Sequence, residues 1–510
     1  MTPLPTTGST LPGLFESVPA SHTAIVLPEQ SIRISYGQLQ LQVEAVAEAL
    51  SACGIRRGDR VGMALPNGLP AIVSLLAAAM AGTAAPLNPA YKEDEFLFYL
   101  DDTNARILLL PPDGAADRAD AARRAAGDRV RVIAVAMSNA GEVSLSGVTD
   151  RRAIDLPSVD DVALVLHTSG STGRPKRVPL AHKNLSISAR NVARSYALTA
   201  DDVSLCVMPL FHVHGLVAST LATLATGGTV VVPAKFNPLS FWRVARDYGV
   251  TWYSAVPTLH QLLLARAASM PGKPPGTERL RFIRSCSASL APQVMHELEA
   301  AFGAPVLEAY GMTEAAHQMA SNPLPPEERK PGSVGRGTHV EISIMDANGR
   351  HLGIGEHGEV VIRGPNVIGG YENNPEANAA SFTDGWFHTG DQGYLDADSY
   401  LTLVGRIKEL INRGGEKISP REVDEVLLAH PAIAEAVCFG VPHPTWGEEV
   451  AAAVVLRDKA TEGDLLSYCR ERLADYKRPK QIHITETIPR TATGKIQRRL
   501  VAEAYAHKEH

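Results

Sequence analysis

Short apolar segments with the character of buried strands alternate with helical segments through the first three hundred residues. That alternation constrains the fold more than any other feature of the chain. Leu39, Val43, Val46, Ala47 and Leu50 recur at helical spacing, and Gly54 ends the pattern. Residues 61–65 read as a strand and 107–110 as a second. Between them, 71–81 is apolar on every side, which predicts a buried helix. The strand series continues at 162–166, 203–208, 229–232, 252–255 and 280–285. Strands separated by helices pair in parallel and need helices over their faces, so a layered α/β body is expected. Residues 111–158, rich in Ala, Asp and Arg, read as surface helix and loop.

From about Pro331 the texture changes. Gly and Pro become dense, and short strands at 340–345, 359–363 and 400–404 predict a β-rich subdomain on the α/β body. Ser419-Pro420-Arg421-Glu422 then opens a helix with Ser at the N-cap, Pro at N1 and Glu at N3, a capping box. A chain of 510 residues exceeds one core. A large N-terminal domain (1–407) and a small, mobile α+β C-terminal domain (408–510) are expected, with the hinge near Lys408.

Bulk properties exclude several function classes. A net charge of −6 argues against a nucleic-acid surface, which needs a basic excess. Cys53, Cys206, Cys286, Cys438 and Cys469 are scattered without CxxC spacing, so neither a disulfide framework nor a zinc site is expected. The apolar stretches 71–81 and 217–232 are too short or too glycine-broken to span a bilayer. No leader resembling a signal peptide opens the chain, and His507-Lys508-Glu509-His510 is no peroxisomal address. A cytoplasmic protein with small-molecule partners is expected, and no protein partner can be assigned.

Three segments carry chemistry. His167-Thr168-Ser169-Gly170-Ser171-Thr172-Gly173-Arg174-Pro175-Lys176 follows a strand and offers hydroxyls, glycine amides and one ammonium. Glycine lets such a backbone wrap a polyphosphate closely, although the Walker A pattern is absent. Tyr310-Gly311-Met312-Thr313-Glu314 follows the strand-like Val306-Leu307-Glu308-Ala309. Tyr310 could stack on a base, Thr313 could hold a phosphate oxygen, and Glu314 could hold Mg²⁺, which prefers hard oxygen ligands. Pro489-Arg490-Thr491-Ala492-Thr493-Gly494-Lys495 presents a lysine on a glycine-containing turn. Taken singly, Glu314 reads more simply as a solvated turn residue and Lys495 as an ordinary exposed lysine.

In this order the three segments resemble the adenylate-forming superfamily of acyl-CoA synthetases, luciferases and peptide-synthetase adenylation domains. Trp386-Phe387-His388-Thr389-Gly390-Asp391, Gly405-Arg406-Ile407-Lys408-Glu409 and Gly414-Gly415-Glu416-Lys417-Ile418-Ser419-Pro420 extend the resemblance, which runs from about residue 30 to 503. It implies activation of a carboxylic acid with ATP and Mg²⁺, and transfer to coenzyme A. Thr168, Ser169, Gly170, Ser171, Thr172, Gly173 and Lys176 would cradle the phosphates. Ala288, Glu308, Ala309, Tyr310, Gly311, Met312 and Thr313 would surround AMP. Asp391 would grip the ribose, and Arg406 would assist at ribose or phosphate. Glu314 and Thr172 would hold Mg²⁺. Lys495, Glu314 and His212 would serve catalysis, Lys408 the hinge, and Gly414 and Gly415 the pantetheine tunnel. Arg177 departs from the resemblance, since the phosphate loop often has Gly there; altered packing is expected rather than lost ATP binding.

The acid is read from Cys286-Ser287-Ala288-Ser289-Leu290, where many relatives have Gly-Gly-Ala-Pro-Leu, together with Phe211-His212-Val213-His214-Gly215 and His317. Side chains at 286 and 287 should shrink the pocket and make it polar. Ser287, His212 and His317 are expected to converge near the carboxylate, where a carboxylate partner raises a histidine's pKa. Each histidine could equally be a hydrogen-bonded structural side chain. The strings Ile283-Arg284-Ser285-Cys286-Ser287-Ala288-Ser289-Leu290, Ile411-Asn412-Arg413-Gly414-Gly415-Glu416-Lys417-Ile418-Ser419-Pro420, Trp252-Tyr253-Ser254-Ala255-Val256-Pro257-Thr258 and Ser321-Asn322-Pro323-Leu324-Pro325 resemble the oxalate–CoA ligases of plants and fungi. Malonate or another short acid remains open, as does a non-catalytic nucleotide-binding protein.

Overall fold

The computed structural model describes residues 9–113, 119–168, 175–490 and 496–506. Two large sheets form the body. The first has nine strands in the order Arg336–Gly337, His317–Ser321, Val306–Met312, Phe282–Ser285, Trp252–Ala255, Val203–Cys206, Thr229–Val231, Thr23–Leu27 and Ile32–Ser35. Its six inner strands are parallel and its outer strands antiparallel. The second has seven strands: Val143–Leu145, Arg131–Met137, Ala105–Leu110, Arg60–Met63, Thr83–Pro86, Val162–Thr168 and Lys176–Ala181. It is also parallel inside, with antiparallel edges.

Helix Leu69–Ala81 is buried along almost its whole length, as its all-round apolar sequence predicts. One hydrophobic cluster contains this helix and residues of both sheets, which fixes the sheets relative to each other. Helix Tyr36–Ala52 starts at a reciprocal cap: Ser35 Oγ accepts Gln38 N–H and Gln38 Oε1 accepts Ser35 N–H.

A third, five-stranded antiparallel sheet contains Glu341–Met345, Gly358–Arg363, Phe382–Thr383, Trp386–Leu395 and Leu401–Arg406. A fourth contains Ile411–Arg413, Glu416–Ile418, Ile433–His443, Gly447–Leu456 and Gln481–Ile484. The fourth sheet has its own core, including Ile411, Val423, Leu427, Cys438, Val454 and Cys469. Among the described residues no helix is long and apolar enough to cross a membrane.

The structure corrects three expectations. Residues 111–158 are more than surface helix and loop. Arg131–Met137 joins the seven-stranded sheet parallel to Ala105–Leu110, and Val143–Leu145 pairs with it. Only Ile133 and Val135 of this strand are buried, so its apolar signal is thin. The phosphate-loop segment connects Val162–Thr168 to the antiparallel strand Lys176–Ala181, making a hairpin. The box at Ser419 is half formed. Ser419 Oγ lies 3.4 Å from Glu422 N, but the Glu422 carboxylate takes Lys477 instead (2.7 Å).

Ser419 also donates its hydroxyl to the Val404 carbonyl (2.6 Å), tying helix Pro420–Leu428 to the antiparallel sheet. Ser419→Ala should therefore lower stability by about 1 kcal/mol, the usual cost of a lost N-cap. Ser419→Asn, which can both cap and donate, should recover most of it in urea denaturation. Equal stability of all three proteins would show that the cap contributes nothing.

Candidate active site

In parallel α/β sheets, ligands bind at the carboxyl ends of the strands. Ser254 and Arg284 are register partners near the ends of Trp252–Ala255 and Phe282–Ser285. Arg284 is fully buried. Its Nε–H donates to the Tyr196 hydroxyl (2.8 Å) and its Nη1–H to Ser254 Oγ (2.9 Å). Its Nη2 group donates to His317 Nε2 and Gln318 Oε1 (3.0 Å each). These partners are uncharged, and no carboxylate among the described residues pairs with Arg284.

A guanidinium can only donate, so it dictates the polarity of its neighbours. Ser254 Oγ accepts from Arg284 and lies 2.6 Å from His214 Nε2, which can take its proton. In that arrangement His214 carries its proton on Nδ1 and donates to Ser287 Oγ (3.0 Å). The half-buried Ser287 then has no acceptor for its hydroxyl proton among the described residues. His317, accepting at Nε2, is protonated on Nδ1. The His214 and His317 rings stack 5.4 Å apart. His212 is half-buried beside them, and its Nδ1 accepts His214 N–H (3.2 Å). A carboxylate would raise these rings. Instead, burial and then the Arg284 charge hold His214 and His317 well below the usual imidazole range.

The backbone is strained here. Ser287 has φ +72°, Ala316 +50° and His317 +120°, values that side-chain-bearing residues rarely adopt. A Cβ on Gly311 would fall 2.2 Å from His317 O, so only glycine lets these strands approach.

A second cluster forms at Glu314, which is buried in the short turn Thr313–Ala315. Its Oε1 accepts the Tyr371 hydroxyl (2.9 Å) and lies 3.4 Å from Thr168 Oγ1. Lys176 Nζ lies 4.5 Å from the Tyr371 ring centroid. Thr168, Lys176 and Glu314 thus meet around Tyr371. Ser169, Gly170, Ser171, Thr172, Gly173 and Lys495 lie outside the described residues.

In the third cluster Tyr310 donates its hydroxyl to Asp391 Oδ2, and Arg406 Nε pairs with Asp391 Oδ1 (2.8 Å). Asp391 and Arg406 are also register partners. Ala309, Tyr310, Gly311 and Met312 belong to the strand Val306–Met312 rather than to a turn, and Thr313 follows it. Glu308 is turned inward: its Oε1 accepts Leu290 N–H (3.0 Å), bracing the turn that carries Ser287 and Ala288. Burial pushes this carboxyl up to about 7.

Further along, Lys408 occupies the short turn Ile407–Glu409 between the third and fourth sheets. Gly414 and Gly415 form the two-residue turn between Ile411–Arg413 and Glu416–Ile418, with φ +61° and +97°.

Sequence reasoning missed Arg284, Ser254, Tyr196 and Tyr371 as site residues. A signal existed for Arg284, because alternation places it on the same face as the core residue Phe282. Tyr371 had none, since its contacts cross 57 residues.

Residues 15–372 match the family model of AMP-binding enzymes, and 422–495 match that of the AMP-binding enzyme C-terminal domain. The chain belongs to the AMP-binding enzyme family. It is 48% identical to a probable CoA ligase of Humulus lupulus, covering 97% of this chain and 96% of that one. It is 47% identical to an oxalate–CoA ligase of Arabidopsis thaliana (98% and 99% covered) and 43% identical to one of Saccharomyces cerevisiae (96% and 95%). Among solved structures it is similar to ATP-bound MatB from Rhodopseudomonas palustris: TM-score 0.88, 32% identity, 98% and 99% covered. Family and relatives together make the chain an acid–CoA ligase that draws on ATP.

Within this family member, Glu308 has a measurable consequence. Folded, it keeps its proton to about pH 7; unfolded, it releases it near 4.5. The unfolded chain then binds fewer protons between those values, so folding loses stability as pH rises through that window. Glu308→Gln removes this loss. Relative to wild type, the variant should gain about 2–3 kcal/mol between pH 4.5 and pH 8 in urea titrations. A difference constant with pH would contradict the buried-proton account.

Proposed function

We propose that the chain is an oxalate–CoA ligase. It joins oxalate to CoA, releasing AMP and pyrophosphate, through an enzyme-bound oxalyl-adenylate. One observation carries this reading: among the described residues the buried Arg284 guanidinium has only uncharged partners, and its hydrogen bonds align Ser287 and His317 as donors. A small dianion supplies the missing negative charge. A fatty or aromatic acid would leave these groups unpaired at a cost of several kcal/mol. The resemblance to curated oxalate–CoA ligases over nearly the whole chain supports it.

In the first half-reaction an oxalate oxygen attacks the α-phosphorus of ATP, and the bond to the β-bridging oxygen breaks as pyrophosphate leaves. Thr168, Ser169, Gly170, Ser171, Thr172, Gly173 and Lys176 hold the phosphates. Ala288, Glu308, Ala309, Tyr310, Gly311, Met312 and Thr313 form or brace the wall for AMP, with Asp391 and Arg406 at the ribose. Lys495 neutralises charge developing between carboxylate and α-phosphate, and His212 donates to the reacting carboxylate. The hard oxygens of Glu314, Thr168 and Tyr371, with that of Thr172, would hold Mg²⁺, which would supply screening of the phosphate charge.

In the second half-reaction the CoA thiolate attacks the acyl carbon, and AMP departs with the bonding electrons. Domain 408–510 turns about Lys408 against domain 1–407, and Gly414 and Gly415 then line the pantetheine path. Closure keeps water from the mixed anhydride.

Pyrophosphate release with ATP, Mg²⁺ and CoA should favour oxalate over malonate by roughly tenfold or more, the discrimination one methylene allows. Succinate, acetate, octanoate and 4-coumarate should be poorer still. Ser287→Ala should raise the oxalate KM by about tenfold, the effect of one lost hydrogen bond, with the ATP KM unchanged. A preference for malonate or a monoacid would sink the oxalate assignment, and no turnover with any acid would favour a non-catalytic nucleotide-binding protein.

A further inference from the structure

The paired strands Val162–Thr168 and Lys176–Ala181 are fastened near the Thr168–Lys176 end by a run of charged and polar side chains with no part in the reaction above. His167 and Arg177 are register partners, one step outside the pair Thr168 and Lys176. Arg177 Nη1 donates to the Asp102 carbonyl (2.5 Å), in helix Glu93–Thr103, and Nε pairs with the Asp102 carboxylate (3.2 Å). Asp102 Oδ2 also lies 2.9 Å from His167 Nε2. On the other side, Arg177 Nη1 is 3.8 Å from Glu372 Oε2, and Glu372 Oε1 pairs with Arg60 (2.5 Å). The backbone joins in, since the Arg177 carbonyl accepts Glu372 N–H (3.2 Å).

The result is an alternating series of charges, Arg60–Glu372–Arg177–Asp102, ended by His167, whose ring burial holds below the usual imidazole range. Arg177 is the member that touches both carboxylates. Its side chain is only 14% exposed, and those of Arg60, Glu372 and Asp102 are 17%, 21% and 30% exposed. Such pairs are less screened than surface ion pairs, so they can hold geometry.

The neighbours of this series are functional residues. Arg177 follows Lys176, whose ammonium lies over the Tyr371 ring, and Glu372 follows Tyr371, whose hydroxyl reaches Glu314. The arginine therefore connects the hairpin stem to the segment that positions Glu314. A glycine at 177 would remove both ion pairs and leave the backbone hydrogen bond to Glu372, the Lys176–Tyr371 contact and the Thr168–Glu314 approach to make that connection.

We propose that Arg177 is a positioning residue for ATP: through Asp102 and Glu372 it fixes the phosphate-loop hairpin relative to Glu314. This rests on reading residues 168–176 as the ATP phosphate site.

The test is steady-state kinetics of the full chain, varying ATP·Mg²⁺ and the acid separately. Arg177→Gly should raise the KM for ATP about tenfold, equivalent to roughly 1.4 kcal/mol. It should leave kcat and the acid KM nearly unchanged. Arg177→Lys should recover part of the loss. Asp102→Asn should reproduce it, and the double variant should add little, because the two residues act as one unit. An unchanged ATP KM in an active Arg177→Gly protein overturns the proposal alone. A parallel fall in kcat, acid affinity and Tm in both Arg177 variants also overturns it, in favour of a merely structural role. A wild type that consumes no ATP overturns the reading of residues 168–176 itself.

Discussion

A positive charge buried in a sheet is expensive, several kcal/mol even after the protein relaxes around it. Arg284 bears that cost inside the nine-stranded sheet, and much of the site geometry follows from it. Tyr196, Ser254, His317 and Gln318 surround the guanidinium with acceptors. Their orientations pass outward through His214 to Ser287. The polarity of the acyl pocket is thus set in the core and read out at its edge. A bound anion would offset the Arg284 charge, which has no carboxylate partner among the described residues.

The rest of the fold holds distant pieces against this point. Thr168 and Lys176 come from the seven-stranded sheet, Glu314 and His317 from the antiparallel end of the nine-stranded sheet, and Asp391 and Arg406 from the five-stranded sheet. Helix Leu69–Ala81 contributes no site residue, yet the core around it joins both large sheets. Gly311 and the left-handed Ser287, Ala316 and His317 mark where these pieces press closest. Strain at a binding turn is common, because the surrounding packing over-determines it.

Much of this was legible in the sequence because the signals were local. The all-apolar run at 71–81 gave a buried helix, and the short apolar runs at 203–208, 252–255 and 280–285 gave strands close to their observed limits. The strand Arg131–Met137 was not legible, because its buried residues are diluted by alanine and exposed positions. The hairpin partner Lys176–Ala181 was hidden by Pro179, which strands tolerate mainly at edges such as this one. Around the site, Ser287, His212 and His317 were nominated by position in motifs, and the structure brings all three against His214. Arg284 and Tyr371 matter through contacts with residues far along the chain, and periodicity does not report those.

The central claim is that Arg284 makes the pocket select a dianion. The most direct measurement is the ratio of kcat/KM for oxalate to that for acetate, in wild type and in Arg284→Met, a substitution of a buried charge by an apolar chain that folds can accommodate. The account predicts a ratio at least about a hundredfold lower in the variant, roughly 2.7 kcal/mol of lost discrimination, with adenylation of acetate retained. An unchanged ratio in a folded, active variant would contradict it.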